Sequence, residues 1–267
     1  MNHHFHLLAF VVLLTGNLYA SAPKTVDSLL RVLDKEIARA DEYISQREEQ
    51  AETLKTIFQR DPTAEMAFSI AEVYSPYMCD SALLYYERAK QLCKGDIPDY
   101  IQIGLENCRL RMYGAESVYE RHYTDLVPPT DTHEYAIYAY EKSETARKAN
   151  NDLERKEWLI RSALADVRSG ITDNASSWML AELVFDEGKG DIERAYRYIQ
   201  YSLANAAIFN ARMRFGQINK VSQIISTAHE QQQEQAAQRL YIILGILVFM
   251  LLSVVILVMI VVRQNRH

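Results

Sequence analysis

Between Val26 and Phe58 apolar residues recur at Val26, Leu30, Leu33, Ile37, Ala40, Ile44, Ala51, Leu54 and Phe58. Steps of four and three place them on one stripe of a helix, so residues 21–60 are expected to form one long heptad-patterned amphipathic helix, about 50 Å over its patterned part. Arg47 is the one intruder on the seam. A two-stranded coiled coil and a helix laid along its own chain both produce such a stripe; Arg47 and the two alanines favour packing within one chain. Asp61-Pro62 is expected to stop that helix and open the next, with Asp as N-cap and proline at the first helical position. Helical patterns then cover Ala64–Tyr74, Ser81–Lys94, Asp99–Tyr113, Ala115–Tyr123, His133–Asn150, Asp152–Arg168, Ser176–Phe185 and Ile192–Asn205. Breaks fall at Ser75-Pro76, Gly95-Asp96-Ile97-Pro98, Val127-Pro128-Pro129 and Asp186–Asp191. No alternating strand pattern of useful length occurs, and the predicted fold class is all-α.

Two uncharged apolar runs stand apart from this pattern. Leu7–Leu14 is too short to cross a bilayer, which takes ~20 helical residues. Small residues follow at Ala20, Ser21 and Ala22, so residues 1–20 read as a signal peptide cleaved after Ala20, or after Ala22 less comfortably before Pro23. Its amino end is atypical, with His3, His4 and His6 but no Lys or Arg. The run Leu240–Val262 has 23 residues without a charge. As a helix it rises roughly 34 Å, enough to span the hydrocarbon core. Residues 240–262 are therefore expected to be a transmembrane helix in contact with lipid, with 227–239 a juxtamembrane helix and 263–267 a cytoplasmic tail. Arg263 and Arg266 mark the carboxyl end as cytoplasmic, which puts the folded bulk in the periplasm and the chain in the inner membrane as a single-pass protein. Gly245 is the only glycine of the span, so no GxxxG pair argues for a tight dimer and self-association is left open.

Residues 61–226 carry an internal repeat. DLERKEWLIRSALAD (Asp152–Asp166) and DIERAYRYIQYSLAN (Asp191–Asn205) agree at six of fifteen positions with an offset of 39. A third segment, Ala82 to Ala89, has the same small–aromatic–small pattern. Small residues at Ala82 and Ala195 would admit a neighbouring helix, with Tyr85 and Tyr198 filling the space three residues on. The pattern is that of the second helix of a tetratricopeptide repeat, and the expectation is a TPR-like helical-repeat (α-solenoid) array with a face free for a partner.

Charge and composition narrow the chemistry. The chain carries a net charge of -6, and the part before the apolar run has 27 basic against 35 acidic residues, so nucleic acid is not an expected partner of this chain. Three cysteines, Cys79, Cys93 and Cys108, raise the question of a disulfide in an exported protein. On a helical hairpin turning near Asp96-Ile97 the axial mismatch is near 12 Å for Cys93 with Cys108 and about 9 Å for Cys79 with Cys108, so buried thiols are the favoured reading. The histidines are not spaced as metal ligands, and no metal or cofactor is expected. His133-Glu134 reads as a polar first turn rather than a catalytic pair, Gly188-Lys189-Gly190 lacks phosphate-loop spacing, and the chain is not expected to be an enzyme. Seventeen tyrosines remain. Most suit inter-helix grooves, where the ring is buried and the hydroxyl stays wet. If a tyrosine-lined concave face binds a peptide or glycan, Tyr113, Tyr119, Tyr123, Tyr135 and Tyr138 are the candidates.

The stretches Ser28–Lys55 and Gly190–Ile225, with a membrane helix just after, resemble a family of Bacteroidetes envelope proteins carried as a domain of unknown function and often labelled transcriptional regulator. The resemblance implies a periplasmic TPR-like sensor and one membrane helix, followed by a cytoplasmic coiled coil and a helix-turn-helix output. The sequence stops at His267, so that output part is taken as lacking: a truncated member, or one that works through another membrane protein. The expected function is a membrane-anchored periplasmic sensor or interaction module for a protein or peptide ligand. A structural adaptor of an envelope complex is the alternative.

Overall fold

The computed structural model describes residues 25–113, 127–172, 175–186, 191–209 and 212–265. Among them are ten helices and no strand: α1 (Val26–Ile37), α2 (Ala40–Arg60), α3 (Ala64–Tyr74), α4 (Cys79–Leu92), α5 (Asp99–Tyr113), α6 (His133–Lys148), α7 (Asp152–Arg168), α8 (Ser176–Asp186), α9 (Ile192–Phe209) and α10 (Arg212–Gln264). The expected signal peptide of residues 1–20, the expected helix Ala115–Tyr123 and most of the turn before Asp191 lie outside the described residues.

The expected single helix over 21–60 is two. The chain breaks at Ala38-Arg39, where Arg39 has φ -108° and ψ 7° and its N–H reaches back only three residues, to the Glu36 carbonyl. The stripe itself is as read, but its two halves serve different cores. Leu30, Leu33 and Ala40 join a large cluster with Leu159, Ile160, Ala163, Leu180, Tyr198, Ile199, Ile218 and Ile225 from α7 to α10. Ala51, flanked by Ile44, Leu54 and Phe58, joins a second cluster with Ile70, Tyr74, Tyr86, Leu105 and Cys108 from α3 to α5. One straight helix could not face both, and the kink lets α1 pack on α7 while α2 packs on α3. Full burial of a side chain such as Leu33 contributes about 1.5–3 kcal/mol.

Consecutive helices pair as hairpins: α3 with α4, α4 with α5, α6 with α7, and α8 with α9. Local chemistry fixes their starts. Thr132 caps α6 by accepting from the Tyr135 N–H, and Asn151 caps α7 by accepting from the Glu154 N–H. At α3 the cap is Thr63, which accepts from the Met66 N–H; Asp61 instead closes α2, so the start lies two residues later than Asp61-Pro62 implied. The 39-residue repeat is the second helix of two hairpins, α7 and α9. Ala82, Ala195 and Tyr198 are buried as expected, but on α4 the buried ring is Tyr86, four residues after Ala82, and Tyr85 is half-exposed. Gly104 of α5 makes room for that ring: a Cβ there would stand 2.5 Å from Tyr86 Cε1.

The cysteine arithmetic is corrected as well. Cys79 and Cys108 are both buried, and the Cys79 thiol donates to the Cys108 carbonyl at 3.2 Å. The connector between Leu92 and Asp99 is not helical, so counting 1.5 Å per residue from a turn at Asp96-Ile97 misplaces α5 along α4.

α10 is one helix of 53 residues. Its first part is held by α9, with smaller contacts to α8 and α5. The last anchored residue is His229, whose ring stacks on Tyr196 at 4.0 Å and whose Nε2 lies 3.0 Å from a Glu193 carboxylate oxygen. From Glu230 onward every residue with a described side chain is exposed. The run Leu240–Val262 lies in this exposed part, which is long and apolar enough to cross a membrane, and none of its apolar window is buried.

Candidate functional site

The two cores meet at a waist crossed by polar contacts. Thr172, after α7, donates its hydroxyl to the Tyr77 carbonyl and its N–H to the Pro76 carbonyl. Gly170 turns the chain there with φ +62°, and a Cβ on it would stand 2.7 Å from the Tyr43 carbonyl oxygen, so both conformation and close approach call for glycine. Arg47, the intruder on the α2 stripe, lies at this waist. Its Nε donates to the Ser169 carbonyl at 3.0 Å and its Nη1 to the Val73 carbonyl at 2.9 Å. Both carbonyls belong to helix C-terminal ends, whose partial negative charge suits a guanidinium. Burial lowers the Arg47 pKa, and the Glu134 carboxylate opposes that shift.

Beside Arg47 opens a polar cleft of about 400 Å³. Glu72 and Ser75-Pro76 bound it at the end of α3, Asp131 to Glu134 at the start of α6, and Ser169 at the end of α7. Several polar groups in and around it are already paired. Arg168 bonds Asp131 at 2.9 Å with one nitrogen and Glu36 at 2.9 Å with another. His133 Nδ1 lies 2.8 Å from an oxygen of Asp166, which is itself buried. Glu36 shows the competition plainly: burial pushes its pKa up, but hydrogen bonds from Tyr43 and Arg168 outweigh this and hold the carboxyl below its ordinary range.

The five tyrosines named from sequence are only partly gathered. Tyr119 and Tyr123 lie outside the described residues, and of Tyr113 only the backbone, at the end of α5, is described. Tyr135 and Tyr138 stand on α6 just after the cleft. Tyr135 is buried against Ala136, Ala139 and Ala165, which leaves little of its ring for a ligand. Tyr138 is half-buried, edge-on to Trp158 with centroids 6.0 Å apart and with the Lys142 ammonium 5.2 Å from its ring. Sequence reasoning missed Arg47 and Glu72 as cleft residues. The available signal was a charge breaking an apolar stripe. Among the described residues no three His, Cys, Asp or Glu side chains converge as a metal site requires.

Residues 101–220 match the family described as the SusR N-terminal TPR domain, a little under half of the chain. No curated protein and no solved structure matches it. The match runs from α5 into the first part of α10, and this region is a TPR-type helical repeat. The hairpin of α3 and α4 precedes it in the same pairing style.

Proposed function

We propose that this protein is a membrane-anchored helical-repeat module that binds a protein or peptide ligand outside the cytosol, as the sensing half of a signalling or transcription-regulatory system. One observation carries the reading. The helix that contributes Ile218 and Ile225 to the repeat core is the same uninterrupted helix that presents Leu240–Val262 as an exposed apolar rod. A change in the tilt of its anchored part would reach the rod with no flexible joint between them. The likeness of residues 101–220 to a regulator's TPR domain supports an interaction or regulatory role.

The orientation rests on Arg263 and Arg266 just beyond the rod and on the apolar leader at Leu7–Leu14, which together favour an inner-membrane protein with a periplasmic body. The acidic balance of these residues argues against direct DNA contact by them, so the signal is handed on through protein contacts. The cleft is read as a binding site without catalysis: His133 and Asp166 are joined, but the neighbouring Ser169 hydroxyl is directed to the Asp131 carbonyl.

The test is a Gly-Pro insertion after Gln233, which interrupts α10 between its anchored and apolar parts. Transcript profiles of cells carrying the insertion should match those of a deletion strain while the protein stays in the membrane fraction. Profiles equal to wild type would sink the sensor and leave the adaptor reading, which a stoichiometric, ligand-independent complex in detergent would favour.

A further inference from the structure

In its anchored part α10 turns Ile218, Ser222, Ile225 and His229 toward the body. Ile224 does the opposite. It is 60% exposed while Ile218 and Ile225 are buried, and it lies roughly a third of a turn around the helix from the body-facing line. Followed from Ile224 by steps of four and three, that outer line runs through Ala228, Gln231, Gln235, Gln238, Ile242 and Gly245. It carries no charge: Glu230, Glu234 and Arg239 all fall beside it. The same helix gets little support from its own chain here. Glu230–Arg239 is exposed throughout, Glu230 and Glu234 are like charges four residues apart, and no opposite charge stands three or four residues from either or from Arg239. A helix that is polar all round and unsupported by such pairs is marginal in water.

A second copy of this helix supplies the missing cover. In a parallel two-stranded seam related by a twofold axis, each seam residue meets its own copy. Ile224 then meets Ile224. A glutamine amide has both donor and acceptor and can pair with another glutamine, which a carboxylate or an ammonium group could not do. With Gln235 and Gln238 as the a and d positions of a heptad, Glu234 is a g and Arg239 the next e, the positions that pair across a parallel seam. The register is set by Ile224, and the opposite charges then fall on the two flanks that such a seam brings together. Gly245 continues the line into the apolar run, where a small residue lets two backbones approach. We therefore propose that two copies of this chain dock through α10, in parallel, along the seam Ile224, Ala228, Gln231, Gln235, Gln238, Ile242 and Gly245. This rests on the membrane anchoring read above, because copies held in one bilayer by Leu240–Val262 stand parallel with equal residues at equal height.

The experiment is disulfide linking by copper phenanthroline in membranes of cells producing the full chain. Gln231→Cys, Gln235→Cys and Gln238→Cys, on the seam, should each give a linked dimer. Gln233→Cys and Ala237→Cys, on the far side of the helix, should not. The unsubstituted chain is the background, since Cys79 and Cys108 are buried and Cys93 is half-buried. Glu234→Arg should slow linking at Gln235→Cys about fivefold, two like-charged contacts having replaced two opposite ones. Adding Arg239→Glu should restore the rate. Equal linking at all five positions, or linking at none, overturns the proposal, and so does a rate that Glu234→Arg leaves unmoved. Resistance to alkaline carbonate reads the anchor while the spacing of linked positions reads the seam, so the two readings fail separately.

Discussion

Residues 215–229 and 240–262 of α10 share one backbone, yet their apolar side chains have opposite surroundings. In the first stretch Ile218, Ser222 and Ile225 recur at steps of four and three, all buried, with Val221 half-buried beside them and Asn219, Lys220, Gln223 and Ile224 turned to solvent. In the second, apolar residues occupy every face, and from Leu240 to Val262 none is buried. A striped helix needs protein on one side, whereas a helix apolar all round needs cover on every side, from a bilayer core or from other protein. The polar segment Glu230–Arg239 between them is exposed along its whole length. The periodicity of a helix therefore says what it packs against, and its loss says as much.

The strongest way to break the contrast is to charge the rod. Leu247→Arg, Leu251→Arg and Val255→Arg together oppose insertion by about 8–11 kcal/mol on the scale of translocon-mediated insertion. Alkaline carbonate should then release the protein, while the melting of the repeat body is unchanged. Next in size is a truncation made on both sides of the boundary. Ile225→Ala empties a fully buried site and should cost about 2–5 kcal/mol in denaturant unfolding of the solubilised chain. Ile246→Ala, at a site outside the core, should stay within about 0.5 kcal/mol.

His229→Ala sharpens the position of the boundary. It removes the stack on Tyr196 and the contact with Glu193, a loss of about 0.5–1.5 kcal/mol. Amide exchange should accelerate over residues 226–232 with little change deeper in the bundle. The smallest effect is on pH. Glu36 joins α1 to α7 through Arg168, and its pKa is held below the ordinary 4.5. The stability it contributes is present above about pH 4.5 and is lost as pH falls through its lower folded value. Melting temperature should drop on acidification below that point, and Glu36→Gln should flatten the profile without altering membrane retention.

Much of the helical order was legible. The bounds of α3, α5 and α7 coincide with the patterned segments, and the two members of the 39-residue repeat fall on equivalent helices. What failed shares one cause. The Ala38-Arg39 break, the choice of Tyr86 over Tyr85, and the nearness of Cys79 to Cys108 all depend on which helix lies alongside. Propensity within α1 and α2 gives no sign of a break, because the reason for it is that two separate cores claim the two ends of one stripe.

By itself the sequence determined the helical class, the hairpin order and the apolar rod, because side-chain periodicity and the length of an uncharged run are local properties that no fold can change. Only the tertiary structure decided the cleft. Arg47 meets Val73 across 26 positions and Ser169 across 122, and such a juxtaposition has no footprint in the neighbourhood of any one residue. A charge on an apolar stripe announces that some partner exists; the packing of α2 against α3 and α7 says which carbonyls meet it and sets the guanidinium at the edge of the cleft.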